Sequence, residues 1–526
     1  MDFAAIVAFT IVLYVRPHEI LTFLADLRPA FVVMAWAGAS LFMRPQGLNW
    51  KSIVRTPHDW VMLTYFLWII FTNDDEWGTW LKIYPFVGFY FITVQALTNM
   101  TRIYLFLYWW LGCIMFIATM ALLSLVGIDP AGSQYVTDGS GGRLVFNTTL
   151  FNNANALGHS VIVAVPMIYF LMFWRRPVFI KEVGLALLPI SLYCTYRTES
   201  KGAFIAGFGA ILAALVFGRP KAAQIIILTV ALTAGTSAMT LLPRWGELQT
   251  ASKDEAIQGR VDAFKFGRWA TETHDYGVGY GNFVPAFLNK EGEEVARASH
   301  SSYNQVSGEL GMGGLLLFVG LMYTCARTLV QAKTSNDFEE RVRRTLFCLV
   351  VTYAVSSWMI DFAFRAAFFV MIAMVGAFHR RLQAHLPPTG TDEHLAAAQE
   401  TEINPVMGMG TAGMGGANLA AAGGAGTSAS SHVYLMHMKQ VRGTGRQGAT
   451  TSQSAVAPIA PLSGSSTTQV SNAYAPAVAD ATTETIAGTG SMPWIKIGIL
   501  DCIIMWYLMK LTLYIRTYAI EDLFAA

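Results

Sequence analysis

The sequence predicts an all-α polytopic membrane bundle, and three observations carry that prediction. Apolar residues make up 54% of the chain and charged residues only 13%, against about 25% charged in soluble domains. Mean hydropathy is +0.44. The apolar residues also fall in runs, and backbone in lipid must satisfy its hydrogen bonds within its own segment, so those runs are helices. The formal charge of +2 gives no nucleic-acid signal, because in such a chain charge matters loop by loop. All five cysteines (Cys113, Cys194, Cys325, Cys348, Cys502) lie in apolar segments, which points away from a disulfide framework or a metal site.

In chain order the apolar runs cover 3–15, 30–43, 59–72, 83–97, 103–127, 154–174, 183–196, 202–217, 222–242, 306–326, 345–360 and 366–378. Some are shorter than the ~20 residues of a full span and must tilt or extend into flanking aromatics. The count is about twelve transmembrane helices. The opening stretch, MDFAAIVAFTIVLYVRPHE, starts with an acid and lacks a small-residue cleavage site, so it reads as a retained first helix. Basic residues (Arg44, Lys51, Arg55; Arg175, Arg176, Lys181; Arg219, Lys221; Lys333, Arg341, Arg343, Arg344; Arg380, Arg381) fall on alternate ends of the runs. All become cytoplasmic together if the N-terminus is inside and the spans number twelve. The outer face then receives YVRPHE (14–19), NDDEW (73–77), the 129–150 loop, YRTESKG (196–202), a large loop at 243–305 and DFAFR (361–365).

After residue 380 the composition changes. Residues 382–492 are dominated by Gly, Ala, Ser and Thr and bury too little apolar surface to order themselves, so a disordered cytoplasmic tail is expected. A last apolar run at 494–515 is interrupted by Lys496, Asp501 and Lys510 and reads either as a further span or as an interfacial helix.

The outer loops hold the residues suited to chemistry. In ASHSSYNQVSGELGMGG, helical spacing puts His300, Tyr303, Asn304, Ser307, Gly308 and Gly311 on one face. A polar stripe entering a bilayer faces either water or another helix. GRVDAFKFGRW spaces Arg260, Phe264 and Arg268 by four. Its arginines either clamp a phosphate through the planar guanidinium fork or pair with Asp254, Glu255 or Asp262 on a solvated helix. DYGVGYGNF suggests a close turn without being a nucleotide loop. The YRTESKG turn gathers Arg197, Glu199 and Lys201, and the helix after it carries a small-residue stripe, Gly202, Ala206, Gly209 and Ala213, suited to tight contact. FNNANALGH places Asn152, Asn155 and His159 on one helical face, where an Asn serves as a cap or a ligand.

In this order, NNANALG, the TESKGAF turn, GR before an aromatic-rich helix, GVGYGNF and HSSYNQVSGELGMGG resemble the bacterial O-antigen ligase and polymerase family. YVRPHE resembles its exosortase-associated O-glycosylation ligase subgroup. The resemblance covers about residues 1–380. It implies a multi-pass protein of the bacterial inner membrane with its active site facing the periplasm. The implied reaction moves a glycan from an undecaprenyl-diphosphate carrier onto a hydroxyl of a lipid, glycan or protein, with no cofactor and no metal. By motif, His300 is the implied catalytic histidine and Arg260 the diphosphate-binding arginine. Lys201 stands where the family has a second arginine, with Arg197 four residues earlier as a substitute cation; Tyr303, Asn304 and Asn155 are further substrate-binding candidates. Many relatives have Asn after the histidine, where this chain has Ser301.

These residue types suit that reaction. Departure of a diphosphate needs fixed positive charge in a water-poor site, and the acceptor hydroxyl needs a base such as imidazole. A polymerase or a protein O-oligosaccharyltransferase shares the chemistry. A transporter of a polysaccharide precursor would instead show matched halves and midplane charges, and a non-catalytic export scaffold would use the tail for docking.

Overall fold

The computed structural model describes residues 1–43, 53–239, 255–291, 298–383 and 491–520. They belong to one compact unit, Met1–Pro387 with Ile486–Ala526. Residues 384–490 of the expected tail lie outside the described residues, as do 243–254 and 292–297 of the large loop and the basic residues Arg44 and Lys51. The unit is all-helical at 77%, with no strand among the described residues.

Each of the twelve apolar runs falls on a helix. These are α1 (Asp2–Thr10), α2 (Pro29–Phe42), α3 (Pro57–Phe71), α4 (Glu76–Ala96), α5 (Met100–Ser124), α6 (Ala154–Ile162), α7 (Val178–Arg197), α8 (Lys201–Val216) and α9 (Lys221–Met239), followed beyond the loop by α12 (Ser302–Gln331), α13 (Asp337–Ser356) and α14 (Ala366–Gln383). Between them the large loop folds as α10 (Glu255–Thr273) and α11 (Phe283–Glu291), and α15 (Ile499–Tyr514) closes the described chain. Five helical stretches are long and apolar enough to cross a membrane: Phe23–Phe42, Met100–Ser124, Ala154–Phe173, Val178–Arg197 and Ser302–Gln331.

Local chemistry sets the boundaries. Asp75, Asn99, Asn153, Ser200, Ser301 and Asn336 each cap a helix by accepting a backbone N–H two or three residues on, satisfying donors that have no intrahelical partner. Thr56 and Asp59 form a capping box ahead of Pro57 at the start of α3. Arg16 adopts a left-handed conformation before Pro17 and ends the first helical stretch.

Helix α12 is central and packs against α3, α10, α13, α14 and α15. It breaks at Gly311, whose φ of 65° and ψ of −165° fall in a region that essentially only glycine occupies. The break leaves carbonyls to be satisfied. Val278 and Gly279 donate their amides to the Gly308 and Glu309 carbonyls at 2.9 Å each, and the Trp68 indole donates to the Leu310 carbonyl at 2.9 Å. The DYGVGYGNF turn is therefore docked onto the broken helix. The approach is so close that a Cβ at Gly277 would sit 2.5 Å from Glu309 backbone. A separate small core of Phe266, Phe283 and Phe287 holds α10 against α11.

Candidate functional site

The segments expected on one face do gather at one end of the bundle. Leu144 bonds the Arg197 carbonyl at 2.9 Å, and Arg143 joins the Thr198 carbonyl at 3.1 Å to the Asn155 side chain at 2.9 Å. Glu19 of YVRPHE pairs with Arg16 and accepts from the Thr149 amide and hydroxyl at 2.6 and 2.5 Å. Residues of NDDEW share a broader cleft of about 880 Å³ with the DYGVGYGNF turn, and Tyr280 of that turn packs edge-on against Phe364 of DFAFR at 4.7 Å.

At the centre of this end is a cleft of about 140 Å³, lined by Thr149, Asn152, Asn155, His300, Asp361 and Arg365 among others. His300 precedes α12 and has φ of 49°, a conformation unusual for a side chain of its size. Two serines hold it there. The Ser301 hydroxyl and Ser302 amide donate to the Ser357 carbonyl at 3.1 and 2.7 Å. The Ser302 hydroxyl donates to the Ile360 carbonyl at 2.7 Å and accepts the Phe362 amide at 2.8 Å. Ser301 thus serves backbone geometry. Neither imidazole nitrogen of His300 has a hydrogen bond among the described residues.

Burial lowers the His300 pKa from its ordinary value of 6.5; the Arg260 charge adds to this, and Asp361 opposes it. The imidazole is therefore mainly neutral at neutral pH and able to accept a proton. Arg260, half-buried on α10, is close enough for its charge to act on His300. It does not itself line the 140 Å³ cleft, nor do Lys201 and Arg197. Lys201 is half-buried at the start of α8, and Arg197 ends α7 with its Nε buried and without a hydrogen bond.

The remaining candidates separate. Asn155 faces the cleft, oriented by Arg143, while Asn153 is the helix cap. Tyr303 donates to the Ala354 carbonyl at 3.0 Å and packs on Trp358. Asn304 is fully buried, donates to the Ala263 carbonyl at 2.9 Å and packs against Gly267. Ser307 accepts a bond from Arg516, and Gly308 lies against Gly267 of α10 and the Phe283 ring of α11. Past His300, which faces the cleft, the polar stripe of α12 thus meets neighbouring helices. Arg268 pairs with Glu272 at 2.9 Å, while the side chains of Asp254 and Glu255 lie outside the described residues. The small stripe on α8 does serve close contact, with Gly202 against His159 and Met359 and Gly209 against Val355.

Arg143, Asp361 and Arg365 were not singled out from the sequence as site residues. The last two lie in DFAFR, whose assignment to the same face as His300 was the available signal. Among the described residues no group of three or more His, Cys, Asp or Glu side chains has metal-binding geometry. No protein-family model matches the chain, and neither does any curated protein.

Proposed function

We propose that this chain is a membrane glycosyltransferase of the O-antigen ligase type, moving a glycan from a polyprenyl-diphosphate carrier to an acceptor hydroxyl at the periplasmic face of a bacterial inner membrane. In this reading twelve helices cross the bilayer and the cleft end faces the periplasm. The observation that carries it is the placing of His300: an imidazole facing a cleft, near an arginine held on a neighbouring helix, with burial and that arginine's charge both favouring its neutral form.

Each residue takes a definite part. Arg260, with Arg365 at the cleft and Lys201 or Arg197 as a further cation, stabilises the charge that builds on the departing diphosphate. The bond from the anomeric carbon to the phosphate oxygen breaks, and its electron pair leaves with the diphosphate. The acceptor oxygen forms the new bond to that carbon while its proton passes to His300. Asp361 stabilises the resulting imidazolium, since its charge raises the His300 pKa. Attack in line with departure inverts the anomeric centre. Ligase, polymerase and protein-modifying forms differ only in the acceptor.

The test uses purified protein in lipid vesicles with an undecaprenyl-diphosphate-linked glycan and lipid, glycan and Ser/Thr-peptide acceptors. Wild type forms a glycosidic bond, and Arg260→Ala loses ~10²-fold or more in rate, as for removal of one oxyanion-stabilising donor. Transport of label across the vesicle with no new glycosidic bond refutes the proposal.

A further inference from the structure

We propose that Arg516, on the far side of the low-complexity segment, is a positioning residue that locks helix α10, and with it Arg260, against α12. The inference rests on the functional reading of Arg260 given above.

The last described helix lies antiparallel to α12. Asp501 pairs with Arg327 and accepts the Tyr323 hydroxyl at 2.8 Å. Met505 packs on Gly320, and Arg516 reaches Ser307. From Asp501 to Arg516, α15 and its π-helical extension Ile515–Ile520 run about 22 Å beside α12 at 1.5 Å per residue. One end is anchored to the polar network around Arg327, whose guanidinium lies over the Trp494 ring at 4.5 Å. The other end delivers Arg516.

There Arg516 is only 3% exposed. Its Nη1 donates to the Ser307 hydroxyl on α12 at 2.8 Å and, on α10, to the Thr271 hydroxyl at 3.1 Å and the Gly267 carbonyl at 3.5 Å. Gly267 and Thr271 lie about two and three turns along α10 from Arg260, hence on the same stripe of the helix. Asn304 adds a second tie from α12 to the Ala263 carbonyl on that stripe. Fixing this face fixes the rotation and register of α10, which decide where Arg260 stands relative to His300. A charge buried at such depth is costly, and here a single nitrogen, Nη1, bonds two elements at once. The resemblance that identified Arg260 ends near residue 380, yet the brace comes from residue 516.

The experiment compares wild type, Arg516→Met and Arg516→Lys, all as full chains in lipid nanodiscs, by amide hydrogen exchange and by the glycan-transfer assay. In Arg516→Met, exchange across Glu255–Thr273 rises by ~10-fold, as expected for loss of a hydrogen bond to a charged group, while Met100–Ser124 is unchanged. Transfer falls mainly in kcat, and Arg516→Lys recovers part of both effects. Unchanged exchange in α10 overturns the proposal; so does an equal rise throughout the bundle, or loosened α10 with normal transfer. Arg260→Ala runs alongside. If that variant transfers glycan normally, the functional reading has failed, and exchange alone judges the brace.

Discussion

The two ends of α12 treat charge differently. Around its Gln331 end, acids and bases are matched: Arg380 with Asp59 at 2.9 Å, Arg343 and Arg344 with Glu340 at 2.6 Å each, Arg175 with Asp337, and Arg327 with Asp501. Around its Ser302 end, His300, Asp361 and Arg365 face a cleft with no ion pair among the described residues. Pairs such as Arg380–Asp59 and Arg327–Asp501 join different helices, and removing one partner of a buried pair strands the other. Charges left facing a cleft are available to a ligand, which is why perturbed groups in clefts mark functional sites. The contrast teaches that in this bundle abundance of charge marks structure, and incomplete pairing marks the site.

The comparison breaks first at His300. His300→Ala should lower glycan transfer by ~10²–10⁴-fold, the usual worth of a positioned acid or base, without lowering the thermal unfolding midpoint. His300→Gly should be equally inactive yet more stable by about 1 kcal/mol, because glycine removes the cost of the left-handed backbone. A destabilised His300→Gly protein would place that residue with the structural charges instead.

Arg380→Met sharpens the opposite end. Asp59 is fully buried, so stranding it should cost about 3–5 kcal/mol of stability, read by thermal unfolding in detergent, while the transfer rate per folded molecule stays at the wild-type value. Gly311→Ala tests the junction between the two ends. A side chain there is strained and also meets the Asp275 carbonyl, so a loss of about 1–3 kcal/mol is expected, with faster exchange at Val278 and Gly279 as their bonds to α12 open.

The helices were legible because their signal is local: each apolar run is itself the reason for a helix, although the helix start can lie well ahead of the run, as Asn336 does nine residues before 345. Two candidates were legible for a similar reason. The motif around His300 names the residue, and the spacing of Arg260, Phe264 and Arg268 names a helix face. What composition and spacing could not show is where distant loops meet. Arg143 earns no notice until it is seen bonding Asn155 and Thr198, and Asp361 is an ordinary loop acid until its charge acts on His300. Tyr303 and Asn304 share a helical surface with the motif histidine, but tertiary packing turns them toward Ala354 and Ala263. Arg516 was hidden because a run interrupted by Lys496, Asp501 and Lys510 looks only marginally fit for a bundle, and the partners of Asp501 and Arg516 lie about 170 to 250 residues away in the chain.

The most direct measurement is the pH dependence of kcat/KM for glycan transfer in wild type, Arg260→Gln and Asp361→Asn. As the base, His300 must be neutral, so activity should fall on the acid side as pH drops through a pKa below 6.5. Removing the Arg260 charge removes a cause of that lowering and should move the acid limb to higher pH. Removing the Asp361 charge takes away the opposing influence and should move the limb to lower pH. Opposite displacements in the two variants are the predicted result; an acid limb at the same pH in all three proteins would contradict the account.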